Sequence, residues 1–201
     1  KKFSNPNSTI KLATLFSGIG AIEHAFERLS LKTEIILACD NDKFVKQSYF
    51  ANYPISEDRW YDNVQEIDGK KYEGKIDLLV GGSPCQSFSM VGKRGGFEDT
   101  RGTLFYDFAR IVNDAKPKAF IFENVKGLMS HDKGRTFEII KNTFEDIGYK
   151  SFFKVLNAKD YGIPQHRERI FIVGFKDINR DFEFPLPIKL NLSMQDLLED
   201  F

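Results

Sequence analysis

Cysteine is scarce in this chain. Cys39 and Cys85 are the only two in 201 residues, too few for a disulfide framework. The three histidines, His24, His131 and His166, match no zinc spacing, so no metal is expected. No stretch approaches the roughly 20 consecutive apolar residues that cross a bilayer, and no membrane partner is expected. The opening Lys1-Lys2-Phe3-Ser4-Asn5-Pro6 has neither the apolar core of a signal peptide nor an initiating Met. It suggests a trimmed start and a protein of the reducing cytoplasm. A charge excess is missing too: 29 Lys and Arg balance 29 Asp and Glu. A self-sufficient nucleic-acid binder carries a basic surplus, so nucleic-acid contact here must come from a local cluster or from material outside the chain. Internal repeats and low-complexity tracts are absent.

What the chain does have is aromatic and apolar bulk, with 41% hydrophobic residues and 20 Phe against 7 Tyr and 1 Trp. That suffices for one packed domain and not for two large ones. Residues 1–10 read as a polar arm. Residues 12–16 read as a buried strand, followed by a helix with Ile22, Ala25, Phe26 and Leu29 on its inner face. Residues 34–39 form a second strand, and the next helix carries Phe44, Val45, Tyr49 and Phe50. Strands at 76–81 and 119–122 flank a helix at 104–112 whose Phe105, Phe108, Ile111 and Val112 face inward. A helix over 134–147 rests on Phe137, Ile140, Phe144 and Ile147 and stops at Gly148. Residues 152–156 and 170–175 form a late antiparallel pair. This alternation predicts an α/β, Rossmann-like fold, a mostly parallel sheet with helices on both faces. The domain spans residues 11–184, and residues 185–201 read as a connection leading onward.

In such folds ligands gather at the carboxyl ends of the strands, and the unusual residues fall there. Phe16-Ser17-Gly18-Ile19-Gly20 follows the first strand. Its glycines let backbone approach a ligand, although a plain strand-to-helix turn reads the same way and the third glycine of the dinucleotide fingerprint is missing. Asp40 lies about 20 residues beyond, where an acid commonly binds ribose hydroxyls. The alternative is a helix cap, which Asp42 suits better. Asp62, followed by Asn63, is either an acceptor for an adenine amine or an ordinary loop acid. Cys85 sits in Gly82-Ser83-Pro84-Cys85-Gln86-Ser87-Phe88-Ser89, at a turn among polar neighbours. That suits an exposed, partly ionised nucleophile, whereas Cys39 suits a structural thiol. Residues 91–99, with three glycines, Lys93 and Arg94, read as a linker or as a lid over a phosphate backbone. Glu123-Asn124-Val125 offers a carboxylate that can hold or protonate a ring nitrogen, or else a helix cap. In Gln165-His166-Arg167-Glu168-Arg169, alternation puts Arg167 and Arg169 on one side of an extended segment. There they either grip a base oxygen, a phosphate or Glu123, or simply charge a strand edge.

Taken in order, these segments resemble the cytosine-5 DNA methyltransferase family, and the likeness runs from Phe16 to about Val173. Residues 96–105 and 155–165 look especially like its bacterial restriction–modification members. The resemblance implies S-adenosylmethionine as methyl donor, yielding S-adenosylhomocysteine. Phe16, Gly18, Ile19, Gly20, Asp40, Asn41, Asp62, Asn63, Ser83, Pro84 and Leu104 would border it. Asn41 stands where other members place a larger residue beside the adenine. Cys85, Glu123, Arg167 and Arg169 would be catalytic, and Gln86, Ser89, Asn124, Val125 and Gln165 would contact the target strand. Double-stranded DNA is the implied substrate, with the cytosine flipped into the pocket. Family members continue into a target-recognition domain, so the resemblance implies a C-terminal partner or continuation that supplies it. A transfer-RNA substrate and a catalytically silent cofactor scaffold remain the alternatives.

Overall fold

The computed structural model describes residues 8–83, 103–193 and 195–197. Seven strands form one sheet in the order β3-β2-β1-β4-β5-β7-β6. Strand β1 is Ile10–Leu15, β2 is Thr33–Cys39, β3 is Trp60–Tyr61 and β4 is Leu78–Gly81. Strand β5 is Ala119–Val125, β6 is Lys150–Asn157 and β7 is Glu168–Phe175. Helices α1 (Ala21–Arg28), α2 (Lys43–Asn52), α3 (Leu104–Ala115) and α4 (Arg135–Asp146) connect them. Five strands pair in parallel, and β7 runs antiparallel between β5 and β6. The expected architecture is therefore present, with helices packed around the sheet.

The sequence explains the order. Continuous apolar runs such as Leu78-Leu79-Val80-Gly81 belong in the middle of a sheet, and β1 and β4 lie there. Strand β5 alternates instead: Phe120, Phe122 and Asn124 are buried while their neighbours are partly open. Phe120 and Phe122 meet Phe105 and Phe108 of α3 and Phe144 of α4 in one core cluster. The Phe120 and Phe144 rings lie 4.2 Å apart between centroids, and Phe108 lies 5.0 Å from Phe122. Gly174 on β7 leaves the room that the Phe120 ring fills. A second cluster joins Tyr49 of α2 to Ile35, Ala38 and Trp60.

Several boundaries and faces differ from expectation. The arm ends earlier than residue 10, because Ile10 already pairs with Thr33. Phe16 does not extend β1; it takes a left-handed backbone with φ 56°. Helix α1 half-buries Ile22 and Phe26 as expected and also buries Glu23, but Ala25 and, just past the helix, Leu29 are exposed, Leu29 by 62%, so the expected inner face holds only in part. A carboxylate that receives two buried hydroxyls outweighs the apolar period there. Phe44 is 68% exposed rather than packed. Strand β5 runs on through Val125, so Glu123 and Asn124 lie within a paired strand and not beyond its end. Among the described residues no helix is long and apolar enough to cross a membrane.

Phe120 touches rings from α3 and α4 and the Tyr149 ring. Phe120→Ala is expected to cost about 3–5 kcal/mol of stability, the usual loss for a large buried ring. Urea unfolding reads this as a lower midpoint with an unchanged slope.

Candidate cofactor and catalytic site

The ends of β1 and β2 are stitched together by Ser17. Its backbone N–H donates to the Cys39 carbonyl at 2.9 Å, and its hydroxyl accepts from the Cys39 N–H at 3.1 Å. The next residue, Gly18, donates its N–H to Asp40 Oδ2 at 2.9 Å, while Asp40 Oδ1 accepts from the Asp42 N–H. Asp42 Oδ1 caps α2 by accepting from the N–H groups of Phe44 and Val45. Cap and site acid are thus separate residues, as Asp42 and Asp40 were expected to be. Gly20 is required twice over. Its φ is 90°, and the Tyr53 ring occupies the space where a Cβ would project. The Tyr53 hydroxyl donates to the Gly20 carbonyl at 2.8 Å. Beneath this turn Glu23, only 2% exposed, accepts from Thr14 and Tyr49 hydroxyls at 2.8 and 2.6 Å.

A cavity of about 390 Å³ opens above these strand ends, lined by Phe16, Cys39, Asp40, Asn41, Asp62, Asn63, Val64 and Leu104. Six of the residues expected to border a cofactor meet there: Phe16, Asp40, Asn41, Asp62, Asn63 and Leu104. Gly18 reaches the cavity only through its bond to Asp40, and Ile19 is 63% exposed. The Asn63 side chain accepts from the Gln65 N–H and caps a short turn. Two carboxylates over an apolar floor suit a nucleoside, whose hydroxyls and amine are donors and whose base is apolar on its faces. Burial pushes the Cys39 thiol up to about 12, which keeps it un-ionised and structural.

The second half of the site lies at the ends of β4 and β5. A Cβ on Gly82 would come within 2.8 Å of the Glu123 carbonyl and 2.9 Å of its Oε2, so only glycine lets these strands approach so closely. Asn124 is buried and donates its amide to the Ser83 carbonyl at 2.9 Å. That bond holds the segment leading into Pro84 against β5. The Ser83 hydroxyl is itself buried and has no hydrogen-bond partner among the described residues. Arg169 Nε lies 3.0 Å from Glu123 Oε1. Burial raises the Glu123 carboxyl above the ordinary glutamate range, and the Arg169 and Arg167 charges pull it back. The Arg167 backbone is fixed at both ends, its N–H donating to Asn157 Oδ1 and its carbonyl accepting from Ala158. Lys126 pairs with Glu168 nearby. Gln165 and Val125 are exposed at this edge. Pro84, Cys85, Gln86 and Ser89, and the loop over 91–99, lie outside the described residues. Sequence reasoning missed Glu23, Tyr49, Tyr53 and Trp60, whose side chains bond to Thr14, Glu23, Gly20 and Asp62 and which belong to no motif.

A profile described as C-5 cytosine-specific DNA methylase matches residues 10–201. The chain belongs to that family. It is 44% identical over 200 residues to the type II methyltransferase M.SsoII of Shigella sonnei, covering 98% of this chain and 52% of that protein. To M.HhaI of Haemophilus parahaemolyticus it is 42% identical over 191 residues, covering 94% of this chain and 57% of that protein. The chain thus spans about half the length of the curated relatives it matches. A DNMT2 mutant from Spodoptera frugiperda superposes with a TM-score of 0.75 at 21% identity, covering 96% of this chain and 60% of that chain. A DNA modification methyltransferase encoded within an Escherichia coli prophage gives 0.72 at 24%, covering 96% and 56%. These neighbours share the fold of methyltransferases.

Two outcomes test the geometry. Gly82→Ala forces β4 away from Glu123, so it is expected to weaken function far more than it lowers the melting temperature, read by thermal unfolding beside an activity assay. The Glu123 shift also has a sign. A raised native pKa means the folded state holds the proton more tightly than the unfolded one. Stability should therefore fall as pH rises through the window from the ordinary glutamate value to the raised native one. Urea titrations from about pH 4 to 7 should show that fall and lose it in Glu123→Gln.

Proposed function

We propose that the protein methylates C5 of a cytosine flipped out of duplex DNA, using S-adenosylmethionine and a covalent bond from Cys85 to C6. One observation carries this reading: Gly82 and Ser83, which lead into Pro84-Cys85, lie in contact with Glu123 and Asn124. The stem of a thiol segment and a carboxylate of raised proton affinity thus share one strand edge, beside a cavity suited to a nucleoside.

The chemistry requires both groups. Cytosine C5 is a poor nucleophile in the intact ring. Addition of the Cys85 thiolate at C6 forms a carbon–sulfur bond and shifts the C5–C6 electron pair towards C5. Glu123, near-neutral when a proton sits on it, donates to N3 and stabilises the charge that the addition pushes into the ring. Arg169 holds the Glu123 carboxyl in place, and Arg167 adds positive charge beside it. Bound S-adenosylmethionine would supply an electrophilic methyl group; the electron pair at C5 forms the new C5–CH3 bond as the sulfur–methyl bond breaks, which leaves S-adenosylhomocysteine. Loss of the C5 proton to a base then restores the C5–C6 double bond and expels the Cys85 sulfur. Phe16, Asp40, Asn41, Asp62, Asn63 and Leu104 hold the cofactor in this reading, with Gly18, Ile19, Gly20, Ser83 and Pro84 at its methionine side. Gln86, Ser89, Val125 and Gln165 face the target strand, and Asn124 holds the Ser83 segment.

We assign choice of the target sequence, and the positive charge that DNA binding needs, to a C-terminal recognition region or partner subunit outside these 201 residues. The balanced charge of the chain supports that division. The likeness to bacterial type II enzymes supports a place in a restriction–modification system in the cytoplasm.

Cys85→Ser is expected to abolish methyl transfer while S-adenosylhomocysteine binding, followed by calorimetry, stays near wild type. Duplex DNA carrying 5-fluorocytosine should trap a covalent adduct on Cys85 once the recognition region is supplied, because fluorine at C5 blocks the final elimination. Absence of that adduct, or transfer to transfer RNA and none to duplex DNA, would reject the reading.

A further inference from the structure

We propose that Trp60, the only tryptophan of the chain, is a positioning residue that holds the Asp62 carboxylate for a purine bearing a 6-amino group. The inference rests on the cofactor assignment of the cavity that Asp62 lines.

Trp60 belongs to β3 and pairs with Ala38 of β2, the strand that leads to Asp40. Its ring is buried against Tyr49 and Phe50, with centroids 5.1 and 5.6 Å away. A buried indole N–H needs an acceptor, and Nε1 donates to Asp62 Oδ1 at 2.8 Å. The Asp62 side chain is otherwise two-thirds open, with a relative exposure of 68%. Left alone it would sample several rotamers. Lys46 faces the other oxygen at 3.6 Å but shares its charge with Glu57 at 3.0 Å. The Lys46 side chain is largely covered, but both carboxylates it faces are open to water, which weakens each pair. The rigid donor is therefore the indole, clamped by two rings and by the sheet.

A carboxylate fixed at the cavity wall does two things. It accepts a hydrogen bond from an amine, and it repels a carbonyl oxygen at the same place. Trp60 thus turns a loop acid into a selector between 6-amino and 6-oxo purines without touching the ligand. The hydrogen bond also couples the indole to whatever binds Asp62, so the protein carries its own reporter.

The full chain should be titrated by calorimetry with S-adenosylhomocysteine and with its 6-oxo analogue, S-inosylhomocysteine. The wild type should prefer the adenosyl compound. Trp60→Phe keeps the ring and removes the donor. It is expected to weaken S-adenosylhomocysteine by about five- to tenfold, the scale of one ordinary hydrogen bond. The inosyl compound should change by no more than about twofold. In an Asp62→Ala background the same substitution should cost nothing further. Equal weakening of both ligands, or an undiminished loss in that background, overturns the proposal and marks Trp60 as packing only. Should Trp60→Phe not fold, the indole emission decides. It should shift when S-adenosylhomocysteine saturates the wild type and stay unmoved at saturation in Asp62→Ala; a shift that persists there overturns the proposal. A wild type that binds neither compound removes the cofactor assignment and this inference together, whereas normal binding with an additive double-mutant cycle removes the Trp60 role alone.

Discussion

The direction of β7 decides what the site can contain. Ligands meet parallel strands at their carboxyl ends, and a parallel seventh strand would bring its last residues to that edge. Strand β7 runs back instead, with Val125 of β5 opposite Arg169 and Glu123 opposite Phe171. The first residues of β7 therefore arrive beside the last residues of β5. Arg169 becomes the diagonal neighbour of Glu123 on the same face, close enough for its Nε to lie 3.0 Å from the carboxylate. One reversal of chain direction delivers the guanidinium groups to the acid.

The two halves of the site use different physics. On the cofactor side the sequence specifies backbone. Ser17 joins two strand ends, Gly18 donates to Asp40, and Gly20 takes a positive φ with the Tyr53 ring where a side chain would project. The Ser17 bonds are buried, so losing one would strand a polar atom away from water, while the Gly18–Asp40 bond is only half-buried. On the β4–β5 side the sequence specifies close approach. Gly82 has no side chain because Glu123 occupies that space, and Asn124 spends its amide on Ser83. A general acid requires a fixed distance to its target, and two strands in backbone contact fix it better than a flexible loop.

Much of this was legible in the sequence because it lies in short runs. The glycine turn, Asp40 and Glu123 were singled out by type and position, Asp62 only with an ordinary loop acid as its alternative, and the apolar periods of α3 and α4 gave their buried faces correctly. The period of α1 misled because Glu23 breaks the pattern from inside the helix. Three hydrogen-bonded groups far apart in sequence, Thr14, Glu23 and Tyr49, decide which face turns inward. Strand β3 went unread because it has only two residues and no pattern of its own. Trp60 and Tyr53 drew no attention in the sequence because each is tied to the cavity region through a single bond, Trp60 to Asp62 and Tyr53 to Gly20.

Glu123 combines opposed influences in a useful way. Burial favours its neutral form, and two arginines favour its charged form. Burial alone would produce a carboxyl that never releases its proton. Arginines alone would produce a permanent anion that cannot donate one. In the reaction proposed above, an acid that gives a proton to N3 when sulfur adds at C6 and recovers it when sulfur leaves would have to lie between these limits. The antiparallel strand supplies the arginines and the β4–β5 contact supplies the burial. The fold thus sets the proton affinity of the residue, and the same carboxyl can serve both the addition and the elimination.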